Sequence, residues 1–319
     1  MKFIDKILIQ RTGHIFKPDN RYPWSHTHAQ VPFPYLHPEG FLRIFYATRD
    51  LESRSSVCFI DVNPERPFEI LYAHDKPVLS KGEPGFFDDS GTMPSWFIKI
   101  EDRLYMYYTA WNKSKEASYR LSIGVAESYD NGVTFKKIYL GPILDRSIND
   151  LIWVGQPSIL YKDKSFKMWY LSCDNIKYIN GHPEPYYSVK YADSIDGIVW
   201  NRENRVCIDF ELESDFNAIG RPFVFFENGV YKMFFSYRSA RDYRTDPNKS
   251  YKIGFGESKD GLIWGNFKMI DFIKNEDWFS VMQEYASFIN INTKKYLFFN
   301  GNGFGQTGFG YAELNQMLD

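Results

Sequence analysis

The clearest pattern in the chain is a run of apolar and aromatic residues that recurs at a nearly constant interval. Its copies read RIFYATR (43–49), YMYYTAW (105–111), KMWYLSC (167–173), KMFFSYR (232–238) and YLFFNGN (296–302). Aligned on Ile44, Met106, Met168, Met233 and Leu297, they lie 62, 62, 65 and 64 residues apart. Aromatic and β-branched runs bounded by Gly, Asn or Asp are typical of strands. A fixed interval of this length indicates a repeat architecture.

Each copy follows an earlier apolar strand, which usually has a proline near its start. These leading strands read QVPFPYL, TMPSWFI, GQPSILY, GRPFVFF and EYASFIN, and short polar turns such as 162–164 and 227–229 join them to the repeat. A third strand follows and ends in a Ser-x-Asp-Gly turn within segments 126–135, 192–200 and 256–264. An aromatic residue after that turn, Phe135, Trp200 or Trp264, is expected to anchor a fourth, outer strand.

Four strands in about 62 residues correspond to one blade of a β-propeller, in which radial repetition leaves only short sheet edges. The sequence therefore predicts an all-β, five-bladed propeller, with four-stranded antiparallel blades around a central axis. A solenoid is the alternative, but its end repeats should be atypical, and no such capping repeat is visible in the sequence. The five repeats occupy nearly all of residues 1–319, which predicts a single domain.

The composition of the chain gives no indication of a nucleic-acid-binding or membrane-spanning protein. A formal net charge of −2 gives no electrostatic reason to expect nucleic acid. No apolar run approaches the length of a membrane span, and the N-terminus lacks the apolar run of a signal peptide. Three widely spaced cysteines favour reduced thiols and a cytoplasmic location. The glycine-rich segment 301–310 does not lead into a helix as nucleotide-binding loops do, so no cofactor is expected.

The leading strands should line the axis, so the residues at their starts and at the ends of the second strands should share one funnel. The candidate substrate-binding residues are Gln30, His28, Trp111, Gln156, Arg221 and Arg238. The candidate catalytic acids are Asp89, Glu284 and Asp88. Amides and acids pair with sugar hydroxyls, aromatic faces stack on sugar rings, and arginines favour an anionic or phosphorylated group. His26 and His28 alone do not make a metal site, so no metal is expected.

Each candidate also has a purely structural interpretation. Asp89 could stabilise its own loop as an Asx turn. Arg221 could form a buried ion pair with Glu284 or Asp215. Trp111 could pack between blades rather than stack on a ligand.

The hairpin repeat, the Gly-x-Tyr-x-Met-x-x-Ser pattern of 229–236 and the Ser-x-Asp-Gly turns resemble the five-bladed propeller glycosidase superfamily. That group includes arabinanases, β-xylosidases, invertases and mannoside phosphorylases. The resemblance implies acids on the innermost strands of the first three blades. This chain instead has Gln30 in blade one, Asp88 and Asp89 near blade two, Gln156 in blade three and Glu284 in blade five.

The resemblance implies a carbohydrate-active enzyme that cleaves or transfers a glycosidic bond in the axial funnel. One alternative is a glycoside phosphorylase or glycosyltransferase that uses one acid and an arginine-lined anion site. Another is a non-catalytic glycan-binding propeller. The acids missing from blades one and three favour binding alone, whereas the concentration of ionisable groups at the funnel favours an enzyme.

Overall fold

The structure is a computed structural model that describes residues 1–273 and 276–314. The described elements are almost entirely strands, which confirms the predicted all-β class. The predicted domain, 1–319, also includes positions 274–275 and 315–319, which lie outside the described residues. Two short N-terminal strands, β1 (Asp5–Ile9) and β2 (Thr12–Phe16), precede the repeat.

The repeat folds into successive antiparallel meanders, whose strands follow in chain order. The first meander consists of β3 (Thr27–Leu36), β4 (Leu42–Arg49), β5 (Ser55–Asn63) and β6 (Arg66–Ala73). The second consists of β7 (Gly91–Ile100), β8 (Arg103–Lys113), β9 (Tyr119–Ser128) and β10 (Lys136–Lys137). The third consists of β11 (Trp153–Lys162), β12 (Ser165–Ile179), β13 (His182–Ser194) and β14 (Asn201–Ile208). The fourth consists of β15 (Ala218–Glu227), β16 (Val230–Arg238), β17 (Lys252–Ser258) and β18 (Gly265–Phe272).

The fifth meander takes its outer strand from the other end of the chain. A 3₁₀ turn (Asp277–Phe279) leads into β19 (Glu284–Ile291) and β20 (Lys294–Asn300), and a single helical turn (Asn302–Gly305) leads into β21 (Phe309–Glu313). Strand β2 pairs antiparallel with β21, and β1 pairs in parallel with β18 of the fourth meander. The N-terminal segment therefore joins the last two meanders.

The first strands of the meanders form the centre of the fold. Strands β3, β7, β11, β15 and β19 contact one another in that order, and β19 also contacts β3. This closed ring surrounds an axis, so the leading strands are innermost, as the sequence predicts. The predicted aromatic repeat lies in the second strands, β4, β8, β12, β16 and β20.

The Ser-x-Asp-Gly turns have the structural role that the sequence indicates. The Ser128 hydroxyl donates to Asp130 Oδ1 over 2.7 Å and accepts the backbone N–H of Gly132 over 2.9 Å. The same serine–aspartate hydrogen bond recurs at 194–196 and 258–260. These aspartates stabilise tight turns on the blades.

The three cysteines are free thiols, as expected, with Cys58 and Cys173 buried and Cys207 partly so. No helix within the described part of the chain is both long enough and apolar enough to cross a bilayer.

The pairing of β2 predicts that a single side chain near the N-terminus contributes to global stability. Ile15 on β2 is only 8% exposed and packs in a cluster with Phe298 and Phe309. We expect Ile15→Ala to lower the free energy of unfolding by about 2–5 kcal/mol, because it leaves a cavity. Denaturant unfolding measures this change.

The matched control is Ile4→Ala, since Ile4 lies on the same segment with 66% of its surface exposed. Its effect should stay within about 0.5 kcal/mol. Equal effects of the two substitutions would show that β2 does not complete the last meander in solution.

Candidate functional site

A recurring β-bulge on the innermost strands positions the side chains at the axis. The pairing of each innermost strand with its neighbour shifts register near its start, for example between Gly155 and Ser158. Within these bulges Val31, Gln156, Arg221 and Tyr285 have left-handed backbones, with φ of 56°, 52°, 51° and 59°. Non-glycine residues in this region are strained, and such bulges are common beside functional sites.

Each strained backbone is held by a side chain of the preceding meander. The N–H of Gln156 donates to Thr109 Oγ1 over 2.7 Å, and that of Tyr285 donates to Ser236 Oγ over 3.0 Å. The N–H of Val31 donates to Asn300 Oδ1 over 3.0 Å. These bonds satisfy donors that the bulge removes from the strand ladder.

A cavity of about 300 Å³ lies at this end of the ring. Its volume is at the lower end of the range for small-molecule sites. Its walls are mainly aromatic and come from all five meanders, including the short turn after β20. The aromatic lining residues are Trp111, Tyr119, Trp153, Tyr187, Tyr243, Tyr251, Tyr285 and Phe304.

The polar lining consists of two amides, two arginines and a serine. Gln30, Gln156, Arg49, Arg244 and Ser53 contribute these groups, and none of the described lining residues is a carboxylate. The Oε1 atom of Gln30 has no hydrogen-bond partner within the described part of the chain. The structure thus brings the predicted Gln30, Gln156 and Trp111 together at one cavity.

Glu284 lies beside this cavity and is fully buried. Asn300 Nδ2 donates to its Oε1 over 3.1 Å, whereas its Oε2 has no hydrogen-bond partner among the described residues. Burial raises the pKa of Glu284 to about 8, against the opposing effects of Asn300, Arg238 and Arg49. The carboxyl group is therefore protonated at neutral pH and can donate a proton or a hydrogen bond.

Arg221 does not line the cavity and instead crosses the axis behind it. Its side chain is fully buried and its Nη1 donates to the Ser95 carbonyl over 2.8 Å, which links β15 to β7. It forms no ion pair with Glu284 or Asp215 among the described residues. Burial lowers its pKa to about 9, so the guanidinium remains charged at neutral pH.

Arg238 is likewise buried behind the aromatic wall. Its Nε donates to the Tyr251 hydroxyl over 3.1 Å, and its guanidinium lies 3.9 Å from the ring centroid of Tyr243. The Tyr251 and Tyr187 hydroxyls are 2.5 Å apart. Arg238 therefore contacts the tyrosines of the wall and is not itself a lining residue.

The two acids predicted near blade two lie outside the cavity lining. Asp88 is 1% exposed, and its Oδ2 pairs with Lys137 Nζ at 2.5 Å and accepts the Tyr108 hydroxyl over 3.2 Å. Asp89 accepts the Gly85 N–H over 3.1 Å. Asp89 also accepts Asn112 Nδ2 over 2.9 Å, the loop-stabilising arrangement considered above. These contacts give both acids a structural role, and the proton transfer predicted for them stays a prediction.

His28 lies at a second cavity, which also includes His26 and the loop at 17–20. Its Nδ1 is 2.8 Å from Thr27 Oγ1. Burial and the charge of Arg49 lower the pKa of His28 to about 3, so the imidazole is neutral. The described residues contain no group of three or more His, Cys, Asp or Glu side chains suited to a metal ion.

The tyrosines of the wall are the functional candidates that the sequence analysis missed. Tyr187 and Tyr251 each lie seven residues before the serine of a Ser-x-Asp-Gly turn, Tyr187 within β13 and Tyr251 just before β17. That shared repeat position is a signal that could have identified them. Tyr243 and Phe304 lie on irregular connections and carry no such signal.

The fold of this chain is similar to that of several solved structures. No family model matches the chain. A solved structure described as a glycoside hydrolase has a TM-score of 0.72 at 15% identity, over 96% of this chain and 93% of that chain. A glycosyl hydrolase from Bacteroides ovatus has a TM-score of 0.72 at 14% identity, over 94% and 91% of the two chains. A thermostable family-43 glycoside hydrolase has a TM-score of 0.58 at 17% identity, over 90% and 88%.

The chain therefore has the fold of the propeller glycosidase superfamily, as its repeat and turns predict. It belongs to the same family as the uncharacterized protein Rv1502 of Mycobacterium tuberculosis. The two are 32% identical over 308 residues, which are 96% of this chain and 98% of that protein.

The burial of Glu284 predicts a particular dependence of stability on pH. Between pH 4.5 and about 8 the folded protein holds a proton on Glu284 that the unfolded chain has lost. Its stabilising contribution is complete below pH 4.5 and is lost as the pH rises through about 8. The free energy of unfolding should fall by up to about 1.4 kcal/mol per pH unit from this group. Glu284→Gln should flatten that slope in urea unfolding at a series of pH values.

The control is Glu101→Gln, because Glu101 is exposed on the turn between β7 and β8. Its slope should equal that of the unsubstituted protein. An unchanged slope in Glu284→Gln would show that Glu284 is ionised in the folded state.

The ion pair at Asp88 predicts a structural role for that residue. Asp88→Asn should lower the free energy of unfolding by about 3 kcal/mol, because it leaves the Lys137 ammonium without its partner. Asp163→Asn, at an aspartate that is 71% exposed, should have little effect. Loss of activity with unchanged stability in Asp88→Asn would instead support the catalytic role predicted from the sequence.

Proposed function

We propose that this protein is a glycoside hydrolase-like, carbohydrate-active enzyme that cleaves or transfers a glycosidic bond in the axial cavity. We also propose that the chain is a single domain, a five-bladed propeller in which each meander is one blade. One observation carries it: an aromatic-walled cavity lies at the axis of a glycosidase fold, and the fully buried acid Glu284 directly precedes the lining residue Tyr285. Burial raises the pKa of Glu284 to about 8.

The cavity walls suit a sugar ring. Trp111, Trp153 and Tyr285 offer flat apolar faces that pack against the C–H faces of a pyranose. Gln30 and Gln156 offer amide groups for its hydroxyls, and the Oε1 of Gln30 is still without a partner among the described residues. An apolar ligand would leave these buried polar atoms unsatisfied, which costs free energy.

Glu284 supplies the acid. As an oxygen nucleophile attacks the anomeric carbon, the glycosidic C–O bond breaks and the leaving oxygen takes the Glu284 proton. The carboxylate that remains is stabilised by the charges of Arg49 and Arg238 and by the hydrogen bond from Asn300. The nucleophile releases its proton to solvent as it bonds to the anomeric carbon, and Glu284 takes a proton from solvent before the next turnover.

The identity of the nucleophile distinguishes hydrolysis, phosphorolysis and glycosyl transfer. Hydrolases of the two-carboxylate type need a second carboxyl group across the bond. None lines the cavity among the described residues. Phosphorolysis and glycosyl transfer need only one acid, because phosphate or an acceptor hydroxyl attacks, and arginines near the axis suit a phosphate group.

The same lack of a lining carboxylate favours a second candidate function, glycan binding without chemistry. Asp88 and Asp89 are engaged in structural contacts, as described above. In that case the aromatic walls would serve recognition alone, and Glu284 would act as a neutral hydrogen-bond donor.

Turnover by the purified protein tests the proposal. Nitrophenyl glycosides, oligosaccharides and sugar phosphates are incubated with and without phosphate, and product formation is measured. We expect turnover that Glu284→Gln reduces by about 10²–10⁴-fold, since a positioned general acid contributes that much. Cleavage without phosphate indicates a hydrolase, and phosphate-dependent cleavage indicates a phosphorylase.

Glu101→Gln is the matched control and should keep full activity. Turnover that survives Glu284→Gln would remove Glu284 from the chemistry. Sugar binding without turnover of any substrate would favour the glycan-binding candidate.

A further inference from the structure

Three buried or half-buried arginines surround the axial cavity without an acidic partner. Arg49 lines the cavity, Arg221 crosses the axis behind it, and Arg238 lies behind the tyrosine wall. None of the three forms an ion pair with a carboxylate within residues 1–273 and 276–314. Their hydrogen bonds go to neutral oxygens, such as the carbonyls of Ser95 and Ser239.

Among the described residues, the other buried arginine and lysine side chains are paired, in contrast to Arg221 and Arg238. Arg43 binds Asp61 through two hydrogen bonds of 2.8 and 2.9 Å. Lys190 and Arg202 both lie beside Asp150, at 3.6 and 2.9 Å. Because an unpaired buried charge is costly, proteins seldom retain several of them at one place unless a ligand compensates.

The nearby carboxyl groups do not neutralise these arginines. Glu284 forms no ion pair with any of them among the described residues, and burial raises its pKa, which favours its neutral form. Glu184 is bound to Arg244 at 2.5 Å. The whole chain has a net charge of −2, so the positive charge at the axis is local and not a reflection of composition. The three arginines therefore place positive charge around the cavity of a chain whose net charge is slightly negative.

Arg49 is the arginine that a ligand can touch. Its guanidinium forms no hydrogen bond with a described residue, and its buried Nε is without a partner there. The indole N–H of Trp153, another lining residue, is also unsatisfied within the described ranges. The Nε and Nη2 groups of Arg221 have no hydrogen-bond partner among the described residues, but Arg221 lies behind the lining and adds only its charge.

We propose that the ligand of the axial cavity bears an oxyanion, either a carboxylate or a phosphate, which Arg49 binds directly while Arg221 and Arg238 stabilise its charge from behind. This inference rests on the proposed function for the statement that the ligand is a sugar. It differs from the sequence-based expectation, which assigned anion contact to Arg221 and Arg238. A guanidinium group binds carboxylate and phosphate equally well in geometry. The structure therefore favours an anionic ligand, and the experiment below distinguishes a carboxylate from a phosphate.

Binding measurements that need no turnover test this proposal. The probes are D-glucuronate and D-galacturonate, D-glucose 1-phosphate, inorganic phosphate, and neutral D-glucose and D-galactose, all at constant ionic strength. Binding is followed by tryptophan fluorescence, because Trp111 and Trp153 line the cavity, and by the shift in Tm. We expect at least one anionic probe to bind about tenfold or more tightly than the neutral sugars.

Arg49→Gln should abolish that preference, and Arg49→Lys should retain part of it. Without any ligand, Arg49→Gln should also have an unchanged or higher Tm, because it removes an uncompensated charge. Arg66→Gln is the control, since Arg66 is 60% exposed on β6 and pairs with Glu69. A preference for uronates would identify a carboxylate, and a preference for glucose 1-phosphate or inorganic phosphate would identify a phosphate.

The proposal is overturned if every anionic probe raises the Tm of the unsubstituted protein no more than it raises the Tm of Arg49→Gln. It is also overturned if the neutral sugars bind as tightly as the anionic probes. A lower Tm of ligand-free Arg49→Gln would also contradict it, because Arg49 would then have a structural role. These results would leave the proposed function standing, since that depends on the loss of turnover in Glu284→Gln. Anion binding that Arg49→Gln removes, without turnover of any substrate, would support the anion site and contradict the proposed enzymatic function.

Discussion

The fold depends on one repeated contact, in which a side chain of one meander accepts the strained backbone N–H at the axis of the next. The strained donors are Val31, Gln156, Arg221 and Tyr285, and their acceptors are Asn300, Thr109, Gln156 and Ser236. Each bond both satisfies a donor lost from the ladder and sets the orientation of the next innermost strand. The bond from Val31 to Asn300 joins the first meander to the last, where the ring closes.

The same contacts connect ring closure to the candidate site. Asn300 accepts the Val31 N–H with its Oδ1 and donates to Glu284 with its Nδ2. Gln156 accepts the Arg221 N–H and also lines the cavity. Groups that hold the meanders together thus fix the acid and one wall amide. Such support from rigid strands is what a binding or catalytic geometry requires.

The charged groups at the axis, and not the fold, have to carry the functional argument. Glu284 belongs to the fifth meander, whereas Gln30 and Gln156 stand on the innermost strands of the first and third meanders. Arg49 and Arg238 act on the Glu284 carboxyl group by their charge and have no acidic partner among the described residues. A fold shared with glycoside hydrolases does not by itself establish the chemistry of this site.

The local sequence pattern alone predicted the strands, the repeat and the Ser-x-Asp-Gly turns. It also predicted that Gln30, Gln156 and Trp111 lie at the axis. These features follow from side-chain alternation and turn chemistry, which neighbouring residues determine. Only the folded chain decided that Asp88 binds Lys137, that Arg49 faces the cavity in place of Arg238, and that β2 completes the last meander. Those outcomes depend on distances between segments remote in sequence, and burial then sets the charge of each group.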